Sequence, residues 1–93
     1  MTIKVELFHS PVCPYCPEAK GILLEVLEEA GHEFSIEEVN IFSPEGLKRA
    51  KKYNIASVPA IIIENKHKII GVPRKEILLR KIMQEVTFSQ KEG

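Results

Sequence analysis

Cys13 and Cys16 are the only cysteines in the 93-residue chain, and Pro14 and Tyr15 alone separate them. Two thiols at that spacing support two kinds of chemistry. They can exchange electrons by opening and closing a disulfide, or hold a soft metal ion such as Cu(I) between two thiolates. Disulfide exchange suits the spacing, because one helical turn brings residues i and i+3 together and their sulfurs within bonding reach. A purely structural bridge suits it poorly, since closing so short a loop constrains the unfolded chain little.

The neighbouring residues say how the pair is presented. Ile3, Val5 and Leu7 alternate with Lys4 and Glu6, as in a strand over residues 2–8, and His9, Ser10 and Pro11 lead out of it. A helical pattern follows, predicted from about Pro14 to Ala30, so the dithiol falls at a helix N-terminus. First-turn N–H groups are unpaired and carry the positive end of the helix dipole, which favours a thiolate over a thiol. Cys13 is therefore expected to be acidic and to act as nucleophile, with the amides of Tyr15 and Cys16 free to face its sulfur. Cys16 lies deeper and is the expected resolving thiol. With Cys13 as N-cap, Pro17 would delete the first intrahelical bond, to the Cys13 carbonyl. Pro14 and His9 are candidate modulators. A histidine ending a strand is more often solvated than a tuner of a nearby thiolate; in the metal reading it would be a third ligand.

Those positions need a scaffold. In the first helix Ala19, Ile22, Leu23, Val26, Leu27 and Ala30 form one apolar stripe, with Glu18, Lys20, Glu25, Glu28 and Glu29 on the solvated side and Gly31 as a left-handed stop. Residues 34–41 alternate as a second strand, with an expected irregularity at Glu37 and Glu38. The long helix between these strands implies a right-handed parallel crossover. Ser43 caps a short second helix with Pro44 in its first turn, Leu47 and Ala50 facing inward, Tyr53 packing near its end and Asn54 as left-handed cap. The β-branched run Ala60 to Ile63 reads as a strand buried on both faces, and residues 64–71 as a turn and the second arm of a hairpin. Pro73 opens a last helix with Leu78, Leu79, Ile82, Met83 and Val86 inward. Residues 87–93 form a polar, frayed tail. One mixed four-stranded sheet with helices on both faces accommodates this order.

Size and charge narrow the rest. Ninety-three residues with 44% apolar content make a single domain spanning 1–93. Thirteen basic residues balance thirteen acidic ones, all glutamates, so neither nucleic acid nor an anionic membrane is an expected partner. The apolar runs are shorter than the roughly 20 residues of a membrane helix, and no signal-type segment opens the chain. One cysteine pair fits a reducing compartment, so the expected location is cytoplasmic. A monomer is the default expectation.

A Cys-x-x-Cys at the first helix N-terminus, with Val58-Pro59 opening the third strand in this element order, resembles the thioredoxin superfamily. Cys13-Pro14-Tyr15-Cys16 is similar to the dithiol of glutaredoxins, whereas Lys52 to Pro59 looks more like thioredoxin's approach to its cis-proline. The resemblance covers nearly the whole chain and implies an α/β, thioredoxin-like three-layer fold of order βαβαββα. It also implies a cis Val58–Pro59 bond, substrate contacts by Tyr15, Val58, Pro59 and Gly71, and no resident metal. Two family acids are missing. Thioredoxin's buried acid would fall at Leu7, and the aspartate by which glutaredoxins hold glutathione has no match in Gly71 to Glu76.

The function so implied is that of a dithiol–disulfide oxidoreductase reducing disulfides of proteins. No cofactor would be tightly bound. An external donor, either a thioredoxin reductase-type flavoenzyme or a low-molecular-weight thiol, would restore the dithiol. The alternative is a copper or zinc carrier using Cys13 and Cys16. A small copper-chaperone domain also begins strand, Cys-x-x-Cys, helix, but that fold needs two successive strands after its first helix, where here a helix beginning at Ser43 intervenes.

Overall fold

A computed structural model describes the backbone of residues 2–92 and the side chains of residues 2–87. Its elements run β1 (Ile3–His9), α1 (Cys16–Ala30), β2 (Phe34–Asn40), α2 (Pro44–Lys52), β3 (Ala60–Ile63), β4 (His67–Ile70) and α3 (Lys75–Glu92). The strands lie in the order β2-β1-β3-β4. β1 is parallel to β2 and antiparallel to β3, which is antiparallel to β4. This is the expected mixed four-stranded sheet with three helices.

Strand alternation assigns the two faces of the sheet. Ile3, Val5 and Leu7 point to one side, where they pack with Ile61 and Ile63, with Leu23, Val26 and Leu27 of α1, and with Leu78, Ile82 and Val86 of α3. Phe8 points to the other side and joins Val39, Ala60, Ile62 and Ala50 of α2. β3 contributes to both clusters, which is why all four of its residues are apolar and buried. Lys75 ties the outer helices together through Glu25 (2.9 Å) and Glu29 (3.1 Å) of α1.

Helix ends follow local chemistry closely. Gly31 ends α1 at φ +61°. The Ser43 hydroxyl oxygen accepts the Gly46 N–H at 3.0 Å at the start of α2. At its end Asn54 adopts φ +57°. There the Asn54 N–H donates to the Lys51 carbonyl (3.1 Å) and the Ile55 N–H to the Ala50 carbonyl (2.8 Å), the pairing of a Schellman motif.

Five details differ from the sequence expectation, among them Met83, expected inward on the last helix but 40% exposed. α1 begins at Cys16 with Tyr15 as N-cap, not near Pro14. Its first backbone bond is from the Ala19 N–H to the Tyr15 carbonyl, 3.1 Å, so Pro17 sits where an N–H would have no intrahelical partner and deletes nothing. β2 shows no irregularity at Glu37 and Glu38; its register on β1 is continuous from Ile3↔Phe34 to His9↔Asn40. As an edge strand it can leave polar groups in water on both faces without a register slip. α3 starts at Lys75 rather than at Pro73 and continues to Glu92, because neither Gly nor Pro interrupts residues 74–92. The segment read as a frayed tail is thus helical through Glu92, and Gly93 lies outside the described residues.

The last difference concerns α2. Leu47 is 46% exposed, and the buried residues are Gly46 and Ala50. The helix approaches the end of β2 so closely that a Cβ at Gly46 would overlap the Asn40 carbonyl. Gly46→Ala is expected to destabilise the fold by about 2 kcal/mol, since backbone rather than a pliable side chain must give way. Urea unfolding checks this, and a change below 0.5 kcal/mol would contradict so tight a helix–strand approach.

Candidate functional site

Cys13 and Cys16 are joined by a disulfide, with their Cα atoms 5.5 Å apart. The bridge spans the turn leading into α1, and the Cys13 N–H donates to the Ser10 carbonyl at 3.3 Å. Cys16 is the first residue of α1 and only 7% exposed, whereas Cys13 precedes the N-cap and is half-buried. The N–H groups of Tyr15 and Cys16 both precede the first intrahelical bond, so neither has a helical acceptor.

The Val58–Pro59 bond is cis. The β1–β3 register pairs Phe8 with Ala60, so Pro59 falls beside the end of β1 from which the dithiol loop departs. Gly71 is brought to the same turn, its N–H donating to the Pro59 carbonyl at 2.8 Å. At φ +85° this backbone favours glycine. Pro59 is buried, Val58 half-buried, and Pro14 exposed. Tyr15 is 60% exposed beside the sulfurs.

A cavity of about 340 Å³ opens beside the dithiol, lined by Cys13 and Cys16 together with Leu7, His9, Ser10, Lys20 and Glu38, among others. Tyr15, Val58, Pro59 and Gly71 are not part of its wall. The disulfide therefore has a cis-proline turn at its end of the sheet and a partly charged cavity beside it. The sequence reading places His9 near the pair but misses Lys20 and Glu38, taking them for a solvated helix face and a strand irregularity. The signal was present in the parallel register. Leu7 pairs with Glu38, so the Glu38 side chain leaves the sheet on Leu7's face, towards α1.

A buried acid is also present, on the opposite face of β1. Glu6 is 1% exposed. Its carboxylate accepts from the Arg49 guanidinium and from the Tyr53 hydroxyl (3.1 Å), with Lys4 at 3.9 Å. Arg49 also donates to Glu37, and Tyr53 packs edge-to-face on Phe8 with ring centroids 6.0 Å apart. The hydrogen bond to Glu37 holds the Arg49 pKa above its ordinary value and the Glu37 pKa below its own. Burial, and then the hydrogen bond to Glu6, raises the Tyr53 phenol. This network pins α2 to β1 and lies away from the sulfurs.

Among the described residues no group of three or more His, Cys, Asp or Glu side chains is placed to hold a metal ion. The third ligand that the carrier reading drew from His9 is thus not assembled. No helix among the described residues is long and apolar enough to cross a membrane.

Comparison with known proteins points the same way as the geometry. A family model described as a thioredoxin domain matches residues 1–84. A thioredoxin of Methanocaldococcus jannaschii is 38% identical over 84 residues, covering 90% of this chain and 96% of that protein. A probable thioredoxin of Archaeoglobus fulgidus is 38% identical over 91 residues, covering 98% and 97%. In three dimensions the chain resembles an uncharacterised thioredoxin-like protein of Clostridium perfringens at a TM-score of 0.77 and 22% identity, covering 89% of this chain and 70% of that one. A thioredoxin of Thermus thermophilus superposes at a TM-score of 0.71 and 22% identity, covering 91% and 74%. With its paired cysteines at the head of α1 and full-length relatives that are thioredoxins, the chain belongs to the thioredoxin family and has a thioredoxin-like redox function.

Proposed function

We propose that the protein reduces disulfide bonds in other proteins, with Cys13 as nucleophile and Cys16 as resolving thiol. The observation that carries this reading is the unequal exposure of the two sulfur-bearing residues, Cys13 half-buried and Cys16 only 7% exposed. A bulky partner can reach the outer sulfur alone, so the inner one is left to react within the molecule. In the reduced protein the Cys13 thiolate attacks a substrate disulfide, forming a mixed disulfide and releasing one substrate sulfur as thiolate. Cys16, having lost its proton, then attacks the Cys13 sulfur. The internal bridge forms, the second substrate sulfur departs, and two electrons have moved from dithiol to substrate.

An extended substrate segment would lie along the turn formed by Val58, Pro59 and Gly71, with the exposed Tyr15 ring against it. Val58 supplies backbone groups at the end of β3, and Gly71 leaves its surroundings open, with no atom within 4 Å of where a Cβ would sit. An external donor must then reduce the bridge. That cycle suits a monomer in the reducing cytoplasm, served by a flavin-dependent thioredoxin reductase or a small thiol; glutathione is one such thiol.

Two measurements test the reading. The reduced protein should open the bridges of a disulfide-linked protein at catalytic concentrations, and an intact substrate would overturn the proposal. Oxidised protein offered separately to a thioredoxin reductase with its nicotinamide cofactor, to glutathione and to a small dithiol is expected to regain both free thiols with at least one. Failure with all three would remove the catalytic cycle.

A further inference from the structure

We infer that Glu38, held by Lys20, is the proton acceptor that converts Cys16 from thiol to thiolate in the resolving step. The inference rests on the disulfide-reducing cycle proposed above and assigns the one proton that cycle leaves without a destination. The cavity beside the dithiol brings together Cys16, Glu38 and Lys20. The Lys20 ammonium donates to Glu38 Oε2 at 3.2 Å, which fixes the carboxylate on the wall it shares with Cys16. Three elements meet there. β1 contributes Leu7 and His9, the loop after it Ser10 and Cys13, α1 contributes Cys16 and Lys20, and β2 contributes Glu38. The titratable groups facing Cys16 across this space are therefore His9, Cys13, Lys20 and Glu38. Leu7, the register partner of Glu38 on the central strand, offers no acceptor, and the buried carboxylate of Glu6 leaves β1 from the opposite face.

The step balances as follows. With the substrate sulfur bound to Cys13, the Cys16 thiol gives its proton to the Glu38 carboxylate, directly or through one water in the cavity. The Cys16 thiolate attacks the Cys13 sulfur, forming the Cys13–Cys16 bond as the Cys13–substrate bond breaks. The departing substrate thiolate takes up the proton from Glu38, restoring the carboxylate. Lys20 is a positioning residue, orienting the acceptor without touching the reacting sulfurs.

The size of the effect follows from the thiol. An unassisted cysteine of ordinary pKa, about 8.5, is only about 3% thiolate at pH 7. An acceptor that removes the proton in the step can thus gain about 30-fold at pH 7, about fourfold at pH 8, and nothing well above pH 9.

The test uses the full, reduced protein and an aromatic disulfide that releases one coloured nitrothiobenzoate as Cys13 attacks and a second as Cys16 resolves. Stopped-flow absorbance then reports the two steps separately. In Glu38→Gln the second phase is expected to slow relative to the first by about 30-fold at pH 7, with the deficit closing as pH approaches 9 and largely restored by Glu38→Asp. An unchanged second-phase pH profile in Glu38→Gln would overturn the inference, as would a slowing of equal size at every pH. If His9→Asn rather than Glu38→Gln produces the second-phase deficit at pH 7 that closes towards pH 9, His9 is the acceptor and the assignment falls. A wild-type protein with no second phase would instead overturn the disulfide-reducing reading itself, so the two failures are distinguishable.

Discussion

Cys13→Ser is expected to reduce disulfide reduction to the uncatalysed background, whereas Cys16→Ser is expected to stall the reaction as a stable mixed disulfide through Cys13. A serine hydroxyl at position 13 is not a thiolate and cannot displace sulfur, so no first step occurs. Serine at position 16 leaves that step intact and removes only the internal attack that expels the product. Mass spectrometry of each variant after exposure to a disulfide-linked protein discriminates the two roles. The expected result is a covalent adduct with Cys16→Ser and none with Cys13→Ser. Adducts in equal yield from both variants would contradict the division of labour that unequal exposure suggests. In reduced protein the Cys13 thiol is further expected to titrate below an ordinary free cysteine, because the unpaired amides at the head of α1 favour its anion. Ultraviolet thiolate absorbance against pH measures this directly.

The largest expected effect on stability comes from the other face of β1. Arg49→Met strands the buried Glu6 carboxylate, leaving it the Tyr53 hydroxyl at 3.1 Å and Lys4 at 3.9 Å. Removing one partner of a buried ion pair leaves an uncompensated charge, and the cost here is about 3 kcal/mol, towards the low end because Arg49 itself still touches water. Denaturant unfolding at neutral pH measures it. The double variant Arg49→Met with Glu6→Gln should lose less than the two single losses added together, since neither charge is then stranded. Strict additivity would mean that the pair is not coupled.

The same network carries a pH signature. Glu37 has its pKa lowered in the folded chain, chiefly by the Arg49 hydrogen bond. Its contribution to stability is therefore present above the ordinary carboxylate value and lost as pH falls through the lower folded value. Arg49→Met should flatten this acid dependence. Tyr53 behaves in the opposite sense, its pKa raised by burial and by Glu6. Its contribution is complete below the ordinary phenol value and is lost as pH rises through the folded one.

Much of the scaffold is legible along the chain because its causes are local. Gly31 and Asn54 end helices in the left-handed conformation, and Ser43 caps the next helix through its own hydroxyl. The alternation of Ile3, Val5 and Leu7 marks one face of β1, and the run Ala60 to Ile63 marks a strand covered on both sides. The dithiol is legible for the same reason, since its chemistry needs only two thiols and the head of one helix. The errors cluster where a neighbour distant in sequence sets the outcome. Leu47 looks like the inward residue of α2 by hydrophobicity, yet Gly46 takes that place because the Asn40 carbonyl leaves no room for a side chain. Glu6 looks like the polar half of an alternating strand, yet the Arg49 charge and the Tyr53 hydroxyl, more than forty positions away, hold it in the interior.

Residue type and spacing were thus enough to read the order of elements and the cysteine pair at the head of α1, since each depends on torsions and hydrogen bonds within a few residues, while the cis Val58–Pro59 turn was implied by the resemblance to thioredoxins. Which side chains share a wall with Cys16 depended on the parallel register that sets Glu38 beside Leu7 and on the packing of α1 that brings Lys20 to it. Such contacts arise only when β2 is carried across by a helical crossover and docked against β1. Three-dimensional assembly, acting through register and not through any local preference, decided what surrounds the resolving sulfur.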